Sequence, residues 1–256
     1  MRKPKILVLD IETAPLKVYT WSLWDENTGL NQIVEEWSIL AVCAKWLGKK
    51  PMYRDTRKSP RNDRKLLLWV RALLDEADIV ISQNGQSFDI KKINARLIAE
   101  NIPPYSPIRQ IDTKLVAKKH FAFTSNRLEW LGRHIAKEPK SSHKKFPGFE
   151  LWAQCLAKNN AAWEEMKRYN IQDVRATEKL YLKMRPWIAG HPNLNVFSNS
   201  DVEKCPKCGS DDLFSNGFRF TQGGKYRRFR CGSCGGWCFG KATQLLKETT
   251  KLLLGD

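Results

Sequence analysis

Long apolar runs are missing from this sequence. No stretch approaches the ~18 apolar residues of a membrane-crossing helix, and the apolar run in the basic opening MRKPKILVLD falls short of the roughly 7–15 residues of a secretory signal core. Neither a membrane-bound nor an exported chain is expected, and the reading is a cytoplasmic protein. Histidine is scarce: His120, His134, His143 and His191 are the full set. None stands at a spacing that pairs it with another ligand, so all four read as surface or loop residues. Acidic charge is also short, with 27 Asp and Glu against 44 Lys and Arg, a net charge of +17. A field of that sign attracts polyanions, and nucleic acid is the partner it predicts. Cysteine is nearly absent outside residues 205–238, where five of the seven lie. Cys43 and Cys155 stand alone in apolar surroundings. An odd total distributed this way excludes a disulfide framework and suits a reducing compartment with one metal site. No internal repeat is visible.

What is present suffices for a core. The chain has 256 residues, 42% of them hydrophobic, with ten Trp, enough for a medium domain with a small appendage. Apolar and β-branched runs predict strands over Lys5–Leu9, Trp37–Trp46, Pro51–Asp55, Ile79–Gln83 and Ile108–Asp112. Helical periodicity predicts helices over Asn62–Glu76, Phe88–Asn101, Arg127–Ala136, Phe149–Lys158 and Ala161–Met184. Early strands followed by alternation of strand and helix predict an α/β domain with a mixed sheet flanked by helices, over residues 1–188. KEPKSSHKKFPG (Lys137–Gly148) reads as a basic loop placed to touch phosphates. Pro186 and AGHPNLN break the last helix and open a linker over 189–200. Paired cysteines and glycines then mark a small domain over 201–240, and leucines at helical spacing predict an amphipathic helix over 241–256.

The stretch ILVLDIETAP places Asp10 and Glu12 at the end of an apolar strand. Successive side chains alternate between faces, so these two carboxylates share one. Like charges that close raise each other's pKa unless a cation lies between them. A third acid, Asp89, follows the strand end and glycine turn of IVISQNGQSFD and opens a helix, with Ser87 as its expected N-cap. A fourth, Asp173, lies within a long helix in RYNIQDVRAT, on one face with Tyr169 four residues earlier. Its helical neighbours Tyr169, Asn170, Ala176 and Thr177 include no cation. Asp112 in RQIDTKL also ends a strand, and helix capping is its expected role.

DIET (Asp10–Thr13), NGQSFD (Asn84–Asp89) and YNIQD (Tyr169–Asp173) resemble the three motifs of the DEDD superfamily of 3′–5′ exonucleases, on the ribonuclease H-like fold. Tyr169 four positions before the last Asp, with Arg168 where the histidine type has His, resembles the tyrosine type, similar to the proofreading domains of family B DNA polymerases and their stand-alone relatives. No polymerase module follows, so a polymerase is not expected. The resemblance implies catalytic residues Asp10, Glu12, Asp89, Asp173 and Tyr169. In it the four acids hold two Mg2+ or Mn2+ ions: Asp10 bridges both, Glu12 and Asp173 serve the nucleophile-side ion, Asp89 serves the other, and Tyr169 orients the attacking water. Hard oxygen ligands favour these ions over zinc, and a pair held about 3.5–4 Å apart suits in-line phosphoryl displacement. It also places Thr13, Asn84 and Phe88 beside the terminal nucleotide.

CPKCG and CGSCG supply Cys205, Cys208, Cys231 and Cys234, two matched Cys-x-x-Cys-Gly turns separated by a hairpin's length of chain. That spacing predicts one closed, structural Zn2+ site, with Cys238 as the spare. The segment resembles the zinc ribbons of transposase-like proteins. Its interleaved Arg219, Phe220, Lys225, Tyr226, Arg227, Arg228, Phe229 and Arg230 suit a nucleic-acid backbone with some stacking, against the plainer reading of a zinc-stapled core with solvated arginines. The sequence as a whole predicts a 3′–5′ exonuclease that acts on single-stranded or frayed 3′ ends, DNA favoured over RNA, and releases 5′-mononucleotides. A structure-selective endonuclease on the same fold and a non-catalytic nucleic-acid-binding module are the competing readings. A protein partner through the ribbon or the C-terminal helix is the second partner class.

Overall fold

The computed structural model describes residues 3–24, 26–138, 143–197 and 202–245. Two compact units divide the chain, Lys5–Tyr181 and a C-terminal unit from Leu182 onward.

In the first unit the strands are β1 (Ile6–Thr13), β2 (Lys17–Val18), β3 (Ile33–Glu35), β4 (Ile39–Trp46), β5 (Met52–Asp55), β6 (Ile79–Ser82) and β7 (Arg109–Asp112). Five of them form a mixed sheet in the order β5-β4-β1-β6-β7, while β2 and β3 pair separately. β4 and β5 join the sheet antiparallel, whereas β1, β6 and β7 run parallel to one another. The helices are α1 (Arg64–Glu76), α2 (Asp89–Ala99), α3 (Thr113–His120), α4 (Leu128–Leu131, continued by a π turn over Gly132–Ala136), α5 (Glu150–Leu156) and α6 (Asn160–Met184).

Alternation along β1 sorts the two faces. Leu7, Leu9 and Ile11 are buried on the side of α1 and α2, in one core with Leu67, Val70, Ile90 and Ile93. On the other side α5 and α6 cover β4 through Leu40, Leu151, Trp163 and Met166. Asp10 and Glu12 point toward this second layer, where side chains of α6 and α5 meet them. The expected mixed α/β sheet flanked by helices is the observed one.

β1 runs four residues beyond its expected end at Leu9. The pairing with β4 continues through Asp10↔Cys43 and Glu12↔Ala41, while the pairing with β6 stops at Val8↔Ile81. The acids therefore stand within the strand, where its β6 side has been released and the sheet splays open. A register shift between Glu12 and Thr13 precedes the last pair of the ladder, Thr13↔Ile39.

The C-terminal unit carries β8 (Leu213–Thr221), β9 (Gly224–Cys231) and β10 (Trp237–Phe239), an antiparallel sheet in the order β10-β9-β8. Residues 241–245 are irregular, and the amphipathic helix expected over 241–256 lies from residue 246 outside the described residues.

Candidate metal centre

Carboxylate oxygens of Asp10, Glu12 and Asp173 lie within 4.8 Å of one another. β1 supplies two of them and α6 the third, so a strand and a helix far apart in the chain must pack correctly for the group to exist. Asn170 sits one turn before Asp173 with no exposed surface, and its Nδ2 donates to the Asp10 carboxylate. The Asn170 Oδ1 is buried without a hydrogen-bond partner among the described residues. Trp152 on α5 donates its Nε1–H to Glu12 Oε2 at 3.2 Å. In the sequence Asn170 stands out only as a neighbour of Asp173, and Trp152 not at all. The three-residue spacing to Asp173 is the signal that finds Asn170; for Trp152 no local signal exists.

Asp89 comes to the same place by another route. Its Oδ1 accepts the Ile11 backbone N–H at 3.0 Å. The acid thus occupies a backbone donor that β6 leaves open, between the two strand acids. Ser87 does not cap α2: the N-cap residue is Phe88, and no side chain caps the helix. A strand-end carboxylate holds this turn instead. Asp112, 2% exposed, accepts from the N–H groups of Asn84 at 2.9 Å and Gln86 at 3.2 Å, and caps α3 through Lys114 at 2.9 Å and Leu115 at 3.3 Å. Capping is thus the role it has, and fixing the turn before Asp89 is a second. Gly85 is required in that turn, because a Cβ there would stand 2.0 Å from Ser82 Oγ and 3.4 Å from Asp89 Oδ2.

Burial and then repulsion from Asp89, Glu12 and Asp173 raise the Asp10 pKa well above the carboxylate range, against the lowering by Asn170. Burial pushes the Asp89 carboxyl up to about 7, partly opposed by the Ile11 N–H. Such a cluster costs the fold free energy that a divalent cation would return. The three carboxylates that converge offer only oxygen donors, which fit a hard cation, and Asp89 stands beside them outside that group.

Tyr169 is 6% exposed, and its hydroxyl hydrogen-bonds Asp173. Burial, followed by the charges of Asp173, Glu12 and Asp10, raises its pKa. Its ring is wedged edge-on between His143, with centroids 5.2 Å apart, and Trp152 at 6.1 Å. His143 is a loop residue as expected. It is anchored through Nδ1 to the Phe146 carbonyl at 2.8 Å.

Of the three residues expected beside a terminal nucleotide, Thr13 is half-buried at the end of β1. Asn84 adopts a left-handed backbone with φ 67°. Its side-chain oxygen accepts from Lys114 Nζ at 3.1 Å, so it shapes the turn. Phe88 is 38% exposed, no core residue, with the Lys92 ammonium 5.9 Å from its ring.

In the C-terminal unit the sulfurs of Cys205, Cys208, Cys231 and Cys234 also lie within 4.8 Å of one another. The pairs Cys205–Cys234 and Cys208–Cys231 are 3.7 and 3.6 Å apart. Tetrahedral ligation at a Zn–S distance of about 2.3 Å needs sulfurs about 3.8 Å apart, so the donor set fits zinc. The two turns are built alike. Gly209 donates to the Cys205 carbonyl at 2.8 Å and Gly235 to the Cys231 carbonyl at 2.9 Å. Both glycines are left-handed, with φ 77° and 75°. Cys238 stands outside the group, paired in register with Phe229.

A profile of the RNase H superfamily matches residues 25–185. The chain belongs to that superfamily, and membership supports a nuclease-type function. The match starts after β1 and includes Asp89, Tyr169 and Asp173. Among solved structures, the family B DNA polymerase from the hyperthermophilic archaeon Pyrobaculum calidifontis is similar at a TM-score of 0.50 and 15% identity, over 73% of this chain and 25% of the polymerase. The chain thus spans about a quarter of the length of that polymerase, and the likeness is one of fold. No curated protein matches the sequence. No described helix is long and apolar enough to cross a membrane.

Proposed function

We propose that the chain is a two-metal-ion 3′–5′ exonuclease of the tyrosine-type DEDD class, which releases 5′-mononucleotides from single-stranded or frayed 3′ ends, DNA favoured over RNA. The observation that carries the reading is the convergence of Asp10, Glu12 and Asp173 within 4.8 Å, with Tyr169 hydrogen-bonded to Asp173 and Asp89 docked beside them.

Asp10, Glu12, Asp173 and Asp89 are the residues that would hold two Mg2+ or Mn2+ ions. Such ions, when bound, activate water and neutralise charge that builds on the phosphorus centre and the leaving 3′ oxygen. The residues themselves do the positioning. Asn170 and Trp152 hold Asp10 and Glu12 in place, and the Ile11 N–H holds Asp89. The Tyr169 hydroxyl, raised in pKa and therefore protonated at neutral pH, is a hydrogen-bond donor and acceptor that orients water. Thr13, on β1 with Asp10 and Glu12, and Phe88, directly before Asp89, would meet the terminal nucleotide. We assign residues 1–188 to the nuclease, 189–200 to a linker and 201–240 to a zinc ribbon holding one structural Zn2+ and helping to bind substrate.

Digestion of 3′- and 5′-labelled DNA and RNA oligonucleotides in magnesium, manganese or chelator tests the reading. Mononucleotides released from the 3′ end in either metal, and none in chelator, are expected. Internal fragments would move the assignment to an endonuclease on the same fold, and no cleavage with intact binding would move it to a binding module.

A further inference from the structure

Three cross-strand pairs of the C-terminal sheet repeat one chemistry. Arg219 on β8 faces Tyr226 on β9, Arg228 on β9 faces Phe239 on β10, and Arg230 on β9 faces Trp237 on β10. Tyr226, Arg228 and Arg230 alternate along β9, so all three pairs lie on one face of the sheet. The opposite face carries Phe229, 9% exposed, and Cys238 at the β10 side, and Lys225 with Phe218 and Phe220 toward the β8–β9 turn. The Arg–aromatic face is open to solvent where β9 and β10 pair, with Trp237 45% and Phe239 49% exposed.

Two of the three arginines also lie over a ring. The Arg219 guanidinium lies 4.1 Å from the Phe239 ring centre and that of Arg228 lies 4.7 Å from Trp237. A guanidinium held over a ring still has N–H groups to offer an oxyanion. From Leu213 to Phe239 the chain has five Lys and Arg and no Asp or Glu. Among the described residues none of the three arginines has an ion-pair partner. Sheet pairing alone needs neither exposed rings nor unpaired cations at every register step.

We infer that this face is a stacking platform for single-stranded nucleic acid, with bases on the solvent-exposed parts of Tyr226, Trp237 and Phe239 and phosphates on Arg219, Arg228 and Arg230. The inference rests on the nuclease reading only for the class of ligand. It goes further in naming the face, the residues and the single-stranded form, since bases paired and stacked in a duplex cannot lie on protein rings.

Full-length chain carrying Asp10→Asn, which removes turnover, is titrated with oligothymidylate and oligouridylate of about 16 nucleotides and with a hairpin duplex. Trp237→Ala/Phe239→Ala is compared with Trp237→Phe/Phe239→Tyr, and zinc content is measured on each. Loss of two stacking rings should weaken single-strand binding about tenfold or more, with duplex binding nearly unchanged, zinc retained and the ring-conserving pair close to the parent. A stronger response with oligothymidylate than with oligouridylate assigns the platform to DNA, and the reverse to RNA. Unchanged single-strand affinity, or equal losses on single strand and duplex, would overturn the inference and leave the face to a protein partner or to general electrostatics. Cleavage by the otherwise wild-type chain is scored separately. Absent cleavage would refute the nuclease, whereas normal cleavage with an indifferent Trp237→Ala/Phe239→Ala variant would refute only the platform.

Discussion

At the scale of single residues, the site depends on side chains that hold the acids as much as on the acids. Asn170 is the clearest case, since its amide donates to Asp10 and it has no exposed surface. Replacing it with Leu keeps the volume, removes that donor and places an apolar group against a carboxylate. The magnesium concentration for half-activation should rise about tenfold, the scale of losing a group that orients a metal ligand. Tyr169→Phe removes one hydroxyl and leaves the ring contacts to His143 and Trp152. Turnover should fall on the order of 10- to 1000-fold with the metal dependence unchanged, as measured in single-turnover cleavage. His143 packs edge-on against that ring, a contact its loop position in the sequence does not foretell. His143→Ala should therefore lower turnover less than Tyr169→Phe, and in the same parameter. A larger loss than Tyr169→Phe would make the imidazole, and not the phenol, the group that handles the water.

At the scale of elements, buried polar ties fix the geometry. Asp63 precedes α1 and its side chain is fully buried. It accepts the Ile39 N–H at 2.8 Å and both Arg96 donors at 2.8 and 2.9 Å, joining β4, α1 and α2. Asp63→Ala leaves the guanidinium with Glu100 alone and a strand N–H without its acceptor, at a cost of about 3 kcal/mol, readable from urea unfolding. The acid cluster makes the opposite contribution in metal-free protein. Asp89 is pushed up to about 7 by burial, and Asp10 is raised by burial and by its neighbours. A folded state with raised carboxyl pKa values holds more protons than the unfolded chain, so stability falls as pH rises from about 4 to about 7. In chelator the melting temperature should drop across that window, Asp89→Asn should flatten the drop, and magnesium or manganese should restore more at pH 8 than at pH 5. A melting temperature that rises across the window in chelator would mean that the acids are already neutralised by protein groups.

The same scale shows what could be read from the chain and why. The five sheet strands and five helices have strong local signals, either continuous apolar runs or a clear helical period, and each lies within a few residues of its expected place. α3 lacks such a signal, because TKLVAKKH is eight residues with few apolar positions, and its start is set by Asp112. The end of β1 is misjudged because apolarity stops at Leu9 while pairing with β4 carries on. Asp10, Glu12, Asp89, Tyr169 and Asp173 are legible because chemistry places polar groups where packing would not. Trp152, separated by 140 residues from Glu12, is not, because only folding brings the two together.

At the scale of the whole molecule, the positive charge is unevenly shared. Residues 1–200 carry 34 Lys and Arg against 21 Asp and Glu, and residues 201–256 carry ten against six. Most of the attraction for a polyanion therefore comes from the first part, and the proposed platform would add a grip of a different kind. Arginine-to-alanine changes on the ribbon should make the salt dependence of binding shallower, by about one unit of slope for each phosphate the protein no longer holds. A slope unchanged by removal of all three arginines would put the phosphate-binding groups elsewhere.

Every step of the proposed chemistry requires the acids to act as one metal centre, and Asp10→Asn tests that most directly. The substitution keeps the size of the side chain and removes one charge from the set that would hold the ions. With magnesium and a 5′-labelled oligonucleotide under single-turnover conditions, the wild-type chain should produce a ladder shortening from the 3′ end. Asp10→Asn, bound to the same oligonucleotide with similar affinity and folded to the same melting curve, should leave it intact, a loss of several kcal/mol at the transition state. Shortening by Asp10→Asn at a rate near that of the wild type would contradict the metal centre and the function built on it.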